Sequence, residues 1–181
     1  MAVVPYVRAT HSDGQSWSAA KANLLEAGVN DVSYAPAVRV THNAAQSITT
    51  STDTALAFNT ERFDQAGNAA DTQHDTVTNN SRLTCRYAGV YQITGMVEWA
   101  ADAAAASNRI VKIRWSSGPT FIAESQIRCA TTIALQQNVS TLYALAVNEY
   151  VELVVWHDKG SSLNVNVTGN FSPEFGMVRV G

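Results

Sequence analysis

The sequence predicts an all-β fold, two sheets packed as a sandwich or jelly roll of about ten short strands. Three observations carry that expectation. From Val38 onward, segment after segment alternates apolar and polar residues with a period of two, the pattern of a strand with one buried face. Polar turn clusters such as Asn79-Asn80-Ser81 and Asn148-Glu149 separate the segments at short, regular intervals;. Nothing in 38–181 keeps a helical period strongly enough to compete.

Residues 1–37 read differently, as an arm. Val3, Val4, Tyr6 and Val7 form a short extended piece, which Ser12-Asp13-Gly14 breaks. Residues 16–27 read as one helix: Ser16 caps its start, Gly28 ends it, and Trp17, Ala20, Leu24 and Leu25 share a face;. Val32, Tyr34 and Pro36 lead out in a second extended piece. A helix of about twelve residues is marginal alone in water, so its apolar stripe must dock. It docks either on its own domain or a neighbouring copy, or on a larger surface that it anchors to. The anchor is the expectation taken forward, with Val4, Tyr6, Trp17, Leu24, Leu25 and Tyr34 as candidate partner-binding residues. Trp17 itself reads equally as a staple within its own fold or as a hot spot in a partner's pocket.

The β-domain, 38–181, opens with Val38 and Val40. Residues 46–54, rich in Ser and Thr, read as a loop or edge strand, and 55–59, with Leu56 and Phe58, as a short strand. Residues 65–73 read as a loop. The centre of the domain is 75–99: a strand, a turn and a long strand. There Tyr91, Ile93, Gly95, Val97 and Trp99 fall on one side, and Val90, Gln92, Thr94, Met96 and Glu98 on the other. Tyr87-Ala88-Gly89 is the break before the long strand, with Gly89 free to take a positive φ. The Ala-rich stretch 100–107 reads as a loop between two strong strands. Residues 109–115 alternate Val111, Ile113 and Trp115 against Ile110, Lys112 and Arg114, and 120–125 return after a tight turn as the hairpin partner. Two strands fill 126–147, with a break near 133–135. In the second, Val139, Thr141, Tyr143 and Leu145 face one way, and Asn138, Ser140 and Leu142 the other. Strands at 150–156, 163–167 and 175–180 complete the domain. Trp99, Trp115 and Trp156 lie on strong strands and read as core or sheet surface.

Composition narrows the function. The net charge is -3 with no basic run, which argues against a nucleic-acid groove. No apolar run has the length of a membrane span. Residues 1–15 lack the pattern of a signal peptide. The expected compartment of synthesis is therefore reducing, with Cys85 and Cys129 as buried free thiols;. A charged share of 15% beside a hydrophobic share of 46% suits a β-domain that hides part of its surface in an assembly.

Chemistry is scarce. His11, His42, His74 and His157 stand apart, and none forms H-x-H or H-x-x-x-H, so no metal ligand set is expected. The pairs His74-Asp75 and His157-Asp158 read as solvent-facing loops. No G-x-S-x-G and no Gly-rich phosphate loop occurs;. Glu98, Glu152 and Asp158 have no spacing that brings two carboxylates together for glycoside cleavage. The expectation is a protein with no catalytic residue, no metal and no cofactor: not an enzyme. The N-x-S/T sequons at Asn79, Asn138, Asn166 and Asn170 read as chance.

One pattern resembles a known family. Leu83, five further residues, then Gly89-Val90-Tyr91-Gln92-Ile93 is similar to the signature of C1q/TNF-like jelly-roll domains. Phe63-Asp64 and Phe171-Ser172-Pro173-Glu174-Phe175 stand where that family has aromatics, while Leu83 and Ile93 stand where Phe is usual. The resemblance covers 38–181. It implies a ten-stranded, two-sheet domain that assembles as a homotrimer, with Asn138, Ser140 and Leu142 as the candidate axial face. A C1q-like domain behind a short non-collagenous arm further resembles structural proteins of tailed bacteriophages. That implies a capsid decoration protein on the outer surface of the virion, made in the host cytoplasm. Residues 1–37 would then grip the major capsid protein or another virion protein. The alternative is a head- or tail-fibre tip that binds a receptor or host-surface glycan. A secreted C1q/TNF-like ligand ranks third, because no signal or anchor segment is evident.

Overall fold

The computed structural model describes residues 20, 21, 23, 25, 35–65, 72–116 and 120–181, with backbone alone at 104 and 105. The chain divides into two units, Met1–Ser33 and Tyr34–Gly181. In the first, Ala20, Lys21, Asn23 and Leu25 are helical, inside the stretch expected to be helix. Leu25 is 49% exposed. Val4, Tyr6, Trp17, Leu24 and Tyr34 lie outside the described residues.

The second unit is the two-sheet antiparallel jelly roll. Its strands are β1 (Ala37–Thr41), β2 (Gln46–Ile48), β3 (Thr54–Ala55), β4 (Thr60–Gln65), β5 (Arg82–Thr84) and β6 (Gly89–Trp99), then β7 (Asp102–Trp115), β8 (Phe121–Thr131), β9 (Leu135–Leu145), β10 (Tyr150–His157), β11 (Leu163–Asn166) and β12 (Glu174–Arg179). The larger sheet runs β2-β11-β6-β12-β1-β4, with β9 also paired to β6. The smaller runs β3-β10-β7-β8, with β5 also paired to β10.

β6 is the spine of the larger sheet. It pairs with β9 along its whole length, from Gly89↔Leu145 to Trp99↔Leu135, and with β12 from Tyr91↔Arg179 to Met96↔Glu174. Its inward residues Tyr91, Ile93, Val97 and Trp99 are fully buried. They meet Val111 and Ile113 of β7 and Val151, Leu153 and Val155 of β10 in one core. At Gly95 the side chain of Leu153 from the other sheet takes the space that a Cβ would occupy. Each large aliphatic side chain buried in this layer contributes roughly 1.5–3 kcal/mol.

Several sequence expectations need correction. The Ala-rich stretch is not a loop: from Asp102 it is strand β7, drawn into the sheet by pairing with β8 across an irregularity between Asp102 and Ser107. Residues 60–65 form β4, a strand the alternation did not announce, because its burial pattern is mostly exposed. Leu56 and Phe58 are fully buried, yet the strand there is only Thr54–Ala55. Beyond it the backbone bonds piecemeal, Leu56 N–H to Leu153 O at 2.9 Å and Phe58 N–H to Asn80 O at 2.9 Å. Gly89 is not among the residues with positive φ; its missing Cβ instead leaves room for the Gly181 carbonyl and the Arg179 side chain. Cys85 and Cys129 are both free thiols, but only Cys85 is fully buried.

The two histidines expected in solvent are also buried, His74 at 4% exposure and His157 at 0%. His157 continues the inward phase of Val151, Leu153 and Val155. Its ring stands edge-on to Trp99 at 5.8 Å, with Nε2 3.0 Å from Ile48 O and Nδ1 accepting the Lys159 N–H at 3.2 Å. His74 lies between Glu61 Oε1 at 3.0 Å and Asn80 O at 3.2 Å. Only their neighbours Asp75 and Asp158 are exposed.

Candidate functional site: the open face of the larger sheet

Alternation sends every second residue of the larger sheet away from the core, and register stacks these residues in rows across the strands. One row runs Ala37–Val178–Gln92–Leu142, and the next Phe63–Arg39–Gly176–Thr94–Ser140. A third runs Thr41–Glu174–Met96–Asn138. Beyond the first row, Val90 faces Ala144 across the β6–β9 pair, and its carbonyl accepts the Val180 N–H at 2.8 Å. The expected trio Asn138, Ser140 and Leu142 therefore climbs one row at a time along β9. All three are exposed, while Val139 is buried and Tyr143 packs against the core.

The face is graded. At the Val90 end it is apolar and bare: Leu142 is 59% exposed, Phe63 47% and Val178 37%. Between Phe63, Arg39, Gln92 and Val178 lies a shallow groove of about 140 Å³. What distinguishes these exposed apolar side chains is that register sets them close together, the kind of patch that contact surfaces use. From Arg39 towards Glu98 polar groups pair with one another. Arg39 pairs with Glu174 and donates to Asn170 O at 3.2 Å. Glu98, buried, accepts from the Thr168 hydroxyl at 2.6 Å and from Asn166 Nδ2 at 3.2 Å. The Thr168 hydroxyl, with the Asn166 and Gln136 amides, holds the Glu98 carboxyl below the ordinary range against the opposing effect of burial.

Sequence reading placed Val90, Gln92, Thr94 and Met96 on one side but did not extend that side across the sheet. Phe63, Val178 and Val180 were missed. The signal lay in the phase of Glu174, Gly176 and Val178 against buried Phe175 and Met177. For Phe63 no signal existed without β4.

The carboxylates weighed as a catalytic pair are not brought together: Glu98, Glu152 and Asp158 each have their own partners. Glu152 takes the Ser81 hydroxyl at 2.7 Å and Arg114 at 2.7 and 3.0 Å, and Asp158 takes the Asn108 N–H and Nδ2, both at 2.6 Å. Among the described residues no group of three His, Cys, Asp or Glu side chains is placed to hold a metal ion. No helix among them is long and apolar enough to cross a membrane.

No protein-family model matches the chain, and no curated protein matches it. Solved structures do. The globular domain of zebrafish complement 1qA is 15% identical with a TM-score of 0.56, over 81% of this chain and 98% of that one. Murine APRIL, solved at pH 5.0, is 7% identical with a TM-score of 0.58, over 81% of this chain and 99% of that one. At such identities the likeness establishes the fold alone, a C1q/TNF-like jelly roll.

Proposed function

We propose that this protein is a self-associating structural module, a homotrimer whose open sheet face is the contact between copies. The proposed setting is the outer capsid surface of a tailed bacteriophage, where it acts as a decoration protein held by residues 1–37. The observation that carries self-association is the apolar end of the face. Leu142, Phe63, Val90 and Val178 are half exposed side by side, with small residues such as Gly176, Ser140 and Ala144 between them, which lets another sheet come close. Cyclic, three-fold packing around such a patch takes its apolar surface out of water. What supports the anchoring half of the reading is that Met1–Ser33 form a compact unit of their own and that Leu25 of its helix is exposed. The protein's work is then to bind and hold, not to catalyse. The runner-up reading is a fibre tip that binds a receptor or glycan; a secreted C1q/TNF-like ligand ranks behind it.

Mass photometry at micromolar concentration tests self-association. The expected mass is three times the 19.4 kDa chain; a monomer would reject the proposal. Deleting residues 1–33, the first unit, should leave the trimer intact and abolish co-sedimentation with capsids. Undiminished co-sedimentation would remove the anchoring role.

A further inference from the structure

Away from the open face, where β5 meets the start of β10, the surface holds a polar cleft of about 360 Å³. Two arginines on its wall are held in ways that leave their tips unused among the described residues. Arg82 lies over the Tyr150 ring at 4.1 Å from the centroid and reaches Glu152 Oε1 only through Nε, at 3.5 Å. That carboxylate is already engaged by Ser81 and Arg114. Arg86 donates through Nε to Thr72 O at 2.7 Å and has no carboxylate partner among the described residues. Both guanidinium groups thus offer their terminal N–H pairs, the geometry that grips a carboxylate with two parallel bonds.

The rest of the lining narrows the ligand. Asn79 and Asn148 both line the cleft, in the left-handed region at φ 53 and 68, a conformation Asn tolerates. Their backbones are fixed, Asn79 O accepting from Arg82 N–H at 3.0 Å and Asn148 N–H donating to Cys85 O at 2.8 Å. Their amides have no partner among the described residues. Gln73, another lining residue, is fully buried, with an Oε1 that lacks a donor. Asp75, on the rim, is the one carboxylate in the lining, against two arginines. Its carboxylate is turned onto its own loop, accepting the Val77 and Thr78 N–H groups at 2.8 and 2.9 Å. Amides that both donate and accept suit sugar hydroxyls. A nucleobase is disfavoured, because Tyr150 is the cleft's only aromatic ring besides buried His74 and Arg82 already covers one of its faces.

We infer that this cleft binds a carboxylate-bearing saccharide. Its carboxylate sits between Arg82 and Arg86, and its hydroxyls sit against the amides of Asn79 and Asn148. The inference does not rest on self-association, since no residue of the cleft belongs to the open face.

The test is a titration of the full-length protein, followed residue by residue in amide NMR, with three probes: trigalacturonate, its methyl ester and sodium acetate. Trigalacturonate is expected to shift residues 79–86 and 148–150 saturably at millimolar concentration, with the ester and acetate each at least about tenfold weaker. Arg86→Met should weaken trigalacturonate by at least about tenfold with an unchanged melting temperature. Arg82→Lys, which keeps the charge and loses the fork, should also weaken it. Binding by Leu142→Arg should equal that of the unmodified chain, which separates this site from the assembly face. Equal binding of the ester, acetate as tight as the trisaccharide, shifts confined elsewhere, or no shifts would each overturn the inference.

Discussion

The outward faces of the two sheets are made by the same alternation of residues, yet they end in opposite states. On the smaller sheet the outward side chains satisfy one another. Lys112, 9% exposed, reaches Asp53 at 2.9 Å and sits 4.4 Å from the Phe121 ring centroid. Glu152, 5% exposed, is gripped by Ser81 and Arg114. On the larger sheet the corresponding positions are Leu142, Val178, Phe63, Ser140, Thr94 and Gly176, which offer each other little and leave apolar surface in water. A face that completes its own hydrogen bonds and ion pairs gains little from a partner, whereas one that leaves hydrocarbon exposed gains whatever area a partner covers. Exposure alone therefore does not locate an interface; what separates these two surfaces is whether the outward groups have already found partners.

This contrast can be broken from either side. The largest effect is expected on the closed face. Glu152→Ala leaves Arg114 without its carboxylate in a mostly buried site. It should lower folding stability by about 3 kcal/mol in chemical denaturation, while the refolded protein keeps its oligomeric mass. Next comes Leu142→Arg on the open face. A charge introduced at the centre of a desolvated contact should weaken association by about 100-fold or more in dilution series. The melting of the separated chain should move little, because Leu142 makes no core contact. A smaller effect follows acidification. Burial alone would raise the Glu152 carboxyl, but the Ser81 hydroxyl and the Arg114 guanidinium bring it below the ordinary 4.5. Its folded-state pKa is thus depressed, so its contribution is present above 4.5 and is lost as pH falls through the lower folded value. Glu98, held low by Thr168, acts with the same sign. Urea midpoints measured from pH 6 to 3 should fall on the acid side, and the fall should shrink in Glu152→Gln. The smallest effect belongs to Thr94→Ala, an exposed change on the open face, expected within about 0.5 kcal/mol of neutral for folding.

Much of this architecture is written in the sequence, unevenly. β6 and β9 are legible because one face is buried and the other mostly is not, so period two survives from Tyr91 to Val97, until buried Glu98 interrupts it, and from Val139 to Leu145. The outward trio on β9 followed directly. β4 was illegible because its residues are mostly exposed and it owes its extended form to pairing with β1, through a register shift between Arg39 and Val40. The alanines of β7 carry no β signal of their own; they lie in the register irregularity between Asp102 and Ser107, with residues paired to β8 on both sides, where tertiary context overrides weak propensity. His157 was readable in principle, being in phase with Val155, but its polar neighbours suggested a turn. Arg109 is similar: in phase with Val111 and Ile113, it lies fully buried, with its guanidinium reaching Ala100 O at 3.5 Å. The open face as a surface was not legible. It joins residues more than 100 positions apart, and only register assembles them.

Disulfide trapping bears most directly on the claim that the open face is where copies meet. In a Cys129→Ser background, a cysteine is placed by Ser140→Cys on the open face or by Glu124→Cys on the outward side of β8. The account predicts that mild oxidation links chains covalently through the first and leaves the second unlinked. Chains that stay separate with Ser140→Cys but cross-link with Glu124→Cys would contradict it.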